Sequence, residues 1–270
     1  MCFEAVMTEG FISTIQGYST KDGPGIRSTV FLIGCNLRCA WCSNPELMLD
    51  GEKDMVFDVN GKRHTEHVGT RISARQLAEQ LARDRIFYEE SGGGVTFSGG
   101  EPALQGEFVR ETAGLLNAMG ISCALDTAGD VPYEVLEDLS KVMDLFLFDI
   151  KAFDSSIHKR CTGVSNQRIL SNVKRLAEQG QSLIIRLVVV PGYNDAAADL
   201  KNRLLFVKSL GERVKRVDVL SYHNLGAGKY QRLGLSYPIA SDVKVTEECL
   251  EEIRTLATET GVTIHIASVT

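Results

Sequence analysis

From residue 28 onward, short apolar runs alternate with amphipathic stretches, and few folds accept that rhythm. The runs are 28–33, 95–97, 122–125, 144–148, 183–189, 216–220 and 262–266. Most are continuous and rich in Val, Ile, Leu and Phe, as expected of strands covered on both faces. Between them the periodicity predicts helices. One begins at Ser73, with Gln76 completing a capping box, and runs to about residue 90. Others cover roughly 106–119, 133–142, 167–179, 196–210 and 246–260. Gly120, Gly180 and Gly261 stand just past three of them, where a left-handed residue ends a helix. Repeated β/α units predict a parallel sheet with right-handed crossovers. Six or seven of them fit an α/β fold of the partial TIM-like (β/α)6 barrel kind better than a Rossmann sheet. No repeat, low-complexity tract or linker breaks the chain, so 1–270 is expected to be one domain. The exception to the rhythm is 47–72, where Asn60-Gly61 between alternating residues signals a β-hairpin, a small surface insertion.

Charge and composition narrow the class. Hydrophobic residues make up 44% and charged residues 24%, typical of globular proteins. The net charge of −6 gives no positive field for nucleic acid or an anionic membrane. No apolar run approaches the ~20 residues that span a bilayer, and MCFEAVMTEG has no basic leader region. A cytoplasmic, monomeric enzyme without nucleic-acid or membrane partners is the expectation.

Seven cysteines, an odd number, argue against a disulfide framework. Cys35, Cys39 and Cys42 fall within eight residues as C-x3-C-x2-C, while Cys2, Cys123, Cys161 and Cys249 are scattered. Thiolates select zinc, copper(I) or iron–sulfur clusters. Structural zinc and electron-transfer cubanes normally take four protein ligands. Three thiolates can therefore hold a [4Fe–4S] cube with one iron open to a ligand. With His64, the nearest histidine in sequence, they can also make a Cys3His zinc site.

The segment KDGPGIRSTVFLIGCNLRCAWCSNPE, followed by SGGGVTFSGGEPALQ, LDTAG, LFDIK, VVVPGYND and YHNLG, resembles the glycyl-radical-enzyme activases of the radical S-adenosylmethionine (SAM) superfamily. The likeness runs in order from Ile12 to about Gly226 and is greatest to the pyruvate formate-lyase activating enzymes. It implies a radical SAM oxidoreductase that binds the amino and carboxylate groups of SAM at the open iron. Reductive cleavage then gives a 5′-deoxyadenosyl radical, which takes a hydrogen atom from a backbone glycine of a partner glycyl radical enzyme. It further implies a low-potential donor such as flavodoxin or ferredoxin. The hard chemistry is the cofactors' own; the protein binds, orients and shields.

Cys35, Cys39 and Cys42 then become the cluster ligands. Gly99, Gly100 and Glu101 match the motif around the methionyl amino group, where glycines let backbone approach a ligand. The upstream Gly92–Gly94 run reads equally as structure. Asp126 and Asp149 end two strands on the face where barrels place their sites. By resemblance Asp126, Thr127 and Asp149 hold a monovalent cation (Na+ or K+), hard oxygen ligands suiting such an ion. The span from Asp149 through Ile150 to Lys151 lines the SAM site. Arg186 interrupts an apolar strand and needs either the SAM carboxylate or a buried acidic partner. His223 matches a SAM-contacting histidine, and Trp41 and Ser43 flank the adenine. Asp22, in the DGPG turn, is the expected contact to the partner's glycine-bearing loop, with Asn44 a second. His64, His67, His158 and His265 have no motif around them.

The chain also departs from its relatives. Many activases carry a cysteine-rich insertion with two further clusters after the first motif; here 47–72 contains no cysteine. The run Ser43-Asn44-Pro45-Glu46 nevertheless looks like that cluster-bearing group. Two other readings remain at this stage: a radical SAM enzyme acting on a small molecule, and a non-catalytic iron–sulfur or zinc protein.

Overall fold

A computed structural model describes residues 7–49 and 51–267. Nine strands form one sheet. In chain order they are β1 (Glu9–Ser19), β2 (Arg27–Leu32), β5 (Thr70–Ser73), β6 (Gly94–Gly99), β7 (Ser122–Thr127), β8 (Leu145–Asp149), β9 (Leu183–Val189), β10 (Val214–Ser221) and β11 (His265–Ala267). Strands β3 (Lys53–Val59) and β4 (Lys62–Val68) make a separate antiparallel pair. The large sheet runs β11-β10-β9-β8-β7-β6-β2-β1-β5. From β2 to β11 every pairing is parallel; β1 and β5 are antiparallel additions at one edge. The two end strands do not pair with each other, so the barrel is open along one side.

Strand period decides which residues face the hollow. On β7, β8 and β9, Ala124, Leu145, Leu147 and Ile184 pack into a small buried layer. Their alternates Leu125, Phe146, Phe148 and Ile185 join the large core beneath the helices. Continuing the inner parity toward the C-terminal strand ends reaches Asp126, Asp149 and Arg186. The apolar layer thus floors the hollow, and charged groups stand above it.

The helices largely match the sequence reading: α3 (Gly106–Ala118), α4 (Tyr133–Ser140), α6 (Gln167–Glu178), α7 (Ala197–Ser209) and α9 (Glu247–Thr260). Ser73 makes the expected capping box with Gln76. The helix it starts is broken, however, into α1 (Ala74–Leu81), a 3-10 turn and α2 (Arg85–Ser91). Two short helices lacked a periodic signal, α5 (Ser155–Thr162) and α8 (Ala227–Arg232). Strand β1 was missed because EGFISTIQGYS mixes polar residues into an edge strand. The hairpin turns at Asn60-Gly61, both with positive φ, as a two-residue loop requires. The insertion is smaller than 47–72, since β5 belongs to the main sheet and Leu47, Met55 and Val68 are buried with Ile33. No helix among the described residues is long and apolar enough to cross a membrane.

Candidate active site

The three cysteines follow β2 on an extended loop whose backbone is tied on several sides. Arg38 and Ala40 donate their N–H groups to the carbonyls of Thr162 and Cys161, at the C-terminal end of α5. Those carbonyls would otherwise be orphans of the helix end. The Gly34 N–H donates to the Leu47 carbonyl, and the Glu101 N–H donates to the Gly34 carbonyl. Gly100 lies so close that a Cβ there would stand 2.1 Å from the Gly34 carbonyl oxygen. The GGE turn and the cysteine loop are therefore one packed unit. Gly93 makes a similar approach to the Ile26 carbonyl, at 1.8 Å, so the upstream glycine run has a structural role under the DGPG turn.

A cavity of about 400 Å³ opens over this unit, within the usual range for small-molecule sites. Cys35, Cys39 and Cys42 line it together with Trp41, Ser43, Asn44, Gly99, Gly100, Asp126, Thr127, Asp149, Lys151, Arg186 and His223. Burial pushes the Cys35 thiol up to about 11 and Cys42 up to about 12, and raises Cys39 as well. Metal binding must therefore displace protons from neutral thiols. Among the described residues, no three His, Cys, Asp or Glu side chains are grouped tightly enough to hold a metal ion as they stand. His64 stacks on Phe57 in the hairpin, away from the zinc role considered for it. The fourth wall keeps a free polar atom: Nδ1 of His223 is buried with no hydrogen-bond partner, and burial lowers that histidine's pKa. Three thiols, an exposed glycine backbone and an unpartnered imidazole nitrogen fit a cluster carrying a polar ligand.

The charged wall is a chain of ion pairs. Arg186 donates Nε to Asp149 at 2.8 Å and Nη2 to Asp126. Lys151 donates to the other Asp149 oxygen at 2.8 Å, and the Ser98 hydroxyl donates to Asp126 at 2.6 Å. Register explains the convergence: Asp149 and Arg186 are paired across β8 and β9, and Asp126 is one strand further. Burial raises the Asp126 pKa despite Arg186. Burial acts on Asp149 in the same sense, but the two cations Arg186 and Lys151 outweigh it and hold the carboxyl low. Lys151 and Arg186 are both raised, their carboxylate partners overcoming desolvation. Of the two readings left open for Arg186, the acidic partner is realised.

Several of the expected site residues also have partners within the protein. At Asp126, Thr127 and Asp149, where the resemblance implies a monovalent cation, other side chains of the protein stand in contact. A guanidinium joins the two carboxylates, and the Thr127 hydroxyl donates to Glu101 at 2.6 Å. Glu101 itself does not line the cavity. Its carboxylate is buried and accepts from Thr127 and from the backbone N–H groups of Ala103, Ala128 and Gly129, at 2.9 to 3.3 Å. Burial still raises its pKa, against those four donors. It fixes the loops after β6 and β7. Ile150 is buried, and its N–H donates to the Arg186 carbonyl. The Asn44 amide oxygen accepts from Lys229 at 2.6 Å, and Lys229 also pairs with buried Glu46 at 2.5 Å. Asn44 is thereby an anchor between the cysteine loop and α8.

A second chamber of about 540 Å³ adjoins the first and shares Asp22, Trp41, Ser43, Arg186, Val188, Leu220 and His223 with it. Asp22 accepts from the hydroxyls of Ser19 at 2.6 Å and Thr29 at 2.7 Å. Thr96, which accepts from buried Arg27, donates to the Asp22 carbonyl. His265, passed over in the sequence, lines the chamber with Arg216 and approaches Asp218 at 3.2 Å. Its place beside Asp218 comes from the pairing of β10 with β11, which the sequence does not announce. Of the remaining cysteines, Cys123 and Cys161 are buried and Cys249 is partly so; Cys2 lies outside the described residues.

An open β/α barrel with three cysteines after its first parallel strand and a glycine turn after the second defines the class. The chain belongs to the radical SAM superfamily, whose model matches residues 29–204; a [4Fe–4S] cluster and SAM come with that family. Within it the relatives are activating enzymes. The trans-4-hydroxy-L-proline dehydratase activating enzyme of Clostridioides difficile is 37% identical, across 91% of this chain and 95% of its own length. The pyruvate formate-lyase 2-activating enzyme of Escherichia coli (strain K12) is 33% identical, across 89% of each. Among solved structures, a domain of pyruvate-formate lyase-activating enzyme from Bacteroides vulgatus ATCC 8482 superposes with a TM-score of 0.55 at 28% identity. That match covers 66% of this chain and all of the other. The relatives include activating enzymes of both the dehydratase and the formate-lyase kind. They favour neither the small-molecule reading nor the non-catalytic one.

Proposed function

We propose that this chain is a glycyl-radical-enzyme activase, with its cluster on Cys35, Cys39 and Cys42 and SAM beside it. When bound, the cluster supplies the electron for cleaving SAM, and SAM supplies the 5′-deoxyadenosyl radical that takes hydrogen from a partner's glycine. Gly99 and Gly100 present backbone without side-chain bulk, suited to the methionyl amino group. Lys151 and Arg186 offer charged N–H donors that a carboxylate can accept from, while Asp126 and Asp149 keep both side chains in place. The neutral imidazole of His223 offers Nδ1 to a polar group, and Trp41 and Ser43 wall the adenine side. A monovalent cation would have to displace Arg186 from between the two aspartates. Asp22 faces the adjoining chamber, where the partner's glycine-bearing loop enters. The buried floor of Ala124, Leu145, Leu147 and Ile184 keeps water from below. A low-potential protein donor, a monomeric state and a cytoplasmic location complete the reading.

The observation that carries it is the convergence of three thiols, the glycine turn and the charged wall on one cavity continuous with a second chamber. Anaerobic reconstitution of the full chain should load about four irons, and Cys39→Ser should load none. The reduced protein should release 5′-deoxyadenosine from SAM. Unchanged cleavage by Cys39→Ser would contradict the assignment.

A further inference from the structure

Outside the cysteine loop lies a surface groove of about 230 Å³. Cys39, Ala40, Met48, Leu49, Tyr230 and Leu235 line it, and Leu49 and Leu235 are 47% and 50% exposed. Two cations stand at its edge in a chain whose net charge is −6. Arg38 lines it, and Lys53 donates to the Leu49 carbonyl at 2.6 Å. Among the described residues no Asp or Glu lines the groove.

Two of its lining residues, Cys39 and Met48, also line the inner cavity. Cys39 and Met48 thus form a wall shared by the groove and the cluster cavity. The groove shares no lining residue with the chamber beside Asp22. An occupant here leaves that chamber free.

We propose that this groove docks the protein electron donor, an acidic carrier of a flavin or iron–sulfur centre, and that the electron enters through Cys39. The inference rests on the activase reading and names its reductant surface. One electron leaves the donor and enters the cluster, so the donor is oxidised and the cluster reduced, and no bond or proton moves. Complementary charge selects such a carrier and speeds its approach. A second copy of this chain would bring like charges face to face.

The test uses reconstituted full-length protein with Leu235→Glu and Lys53→Glu, singly and combined, and reduced flavodoxin as the probe. Loss of cluster absorbance is followed in stopped flow, with photoreduced 5-deazaflavin as the small-molecule control. In the double variant the flavodoxin rate should fall by about tenfold or more while the deazaflavin rate holds. The wild-type flavodoxin rate should also fall as salt is added. Equal flavodoxin rates in variant and wild type would overturn the proposal. So would a dimer lost in the variants with flavodoxin reduction unaffected, which would assign the groove to a second copy. Failure of the activase reading shows separately, as deazaflavin-reduced wild type that leaves SAM intact.

Discussion

The cysteine cavity and the β3–β4 hairpin leave the same stretch of chain within twenty residues of each other, yet they use charge in opposite ways. In the cavity, Asp126, Asp149, Lys151 and Arg186 are all but enclosed, and their charges neutralise one another in pairs. In the hairpin, His67 meets Asp54 at 2.8 Å with both side chains more than half exposed. Arg232 reaches Glu66 at 3.7 Å and lies over the Phe57 ring. Water already solvates the hairpin charges, so their pairing adds little. The cavity charges have no such solvent to fall back on, and losing one leaves another stranded. An ion pair's importance therefore follows its surroundings, and the enclosed set is where binding is expected.

The largest expected effect comes from Arg186→Met. It leaves two enclosed carboxylates without their shared cation, which should cost about 3–5 kcal/mol of unfolding free energy in urea. SAM binding, followed by calorimetry, should vanish with it. A loss no larger than that of a surface pair would erase the contrast between the two regions. Next comes Glu101→Gln, which replaces one acceptor oxygen with a donor facing N–H groups. It should cost about 1–3 kcal/mol and weaken SAM binding, although Glu101 does not line the cavity.

The pH dependence has a definite sign. Asp126 has a raised pKa in the folded protein, so folding takes up a proton. Stability should then fall as pH rises from about 4 through the raised folded value. Asp126→Asn should flatten that slope in pH-dependent urea melts. Asp149, held low, acts in the opposite sense and only below about 4. In the hairpin, Gly61→Ala should cost about 1 kcal/mol, because Gly61 has φ +73 with open space around its Cβ position. Cluster content should be unaffected. Smallest of all, His67→Ala should leave both the melting curve and the cluster unchanged.

Much of this was readable in advance, and the failures have causes. Continuous apolar runs located six of the seven parallel strands closely, and Asn60-Gly61 located the hairpin. The cysteine spacing and the glycine turn located the cavity. Register was not readable: nothing local says that Asp149 pairs across to Arg186, so Arg186 kept two readings until β8 and β9 were aligned. The destination of a buried carboxylate was hidden too. Glu101 sits in the right motif but spends its oxygens on Thr127 and three backbone groups. Lys229 and Asn44, 185 residues apart, meet only because the short helix α8 packs on the cysteine loop. Six helical residues carry too little periodicity to announce such a helix.

The central claim is that the radical made in this cavity ends on a protein glycine. The direct measurement is electron paramagnetic resonance of a mixture of reconstituted protein, SAM, reductant and a glycyl radical enzyme deuterated at its glycines. The account predicts a glycyl radical signal on the partner and deuterium recovered in 5′-deoxyadenosine. SAM cleavage at the same rate, with no protein radical and no deuterium transferred, would contradict it.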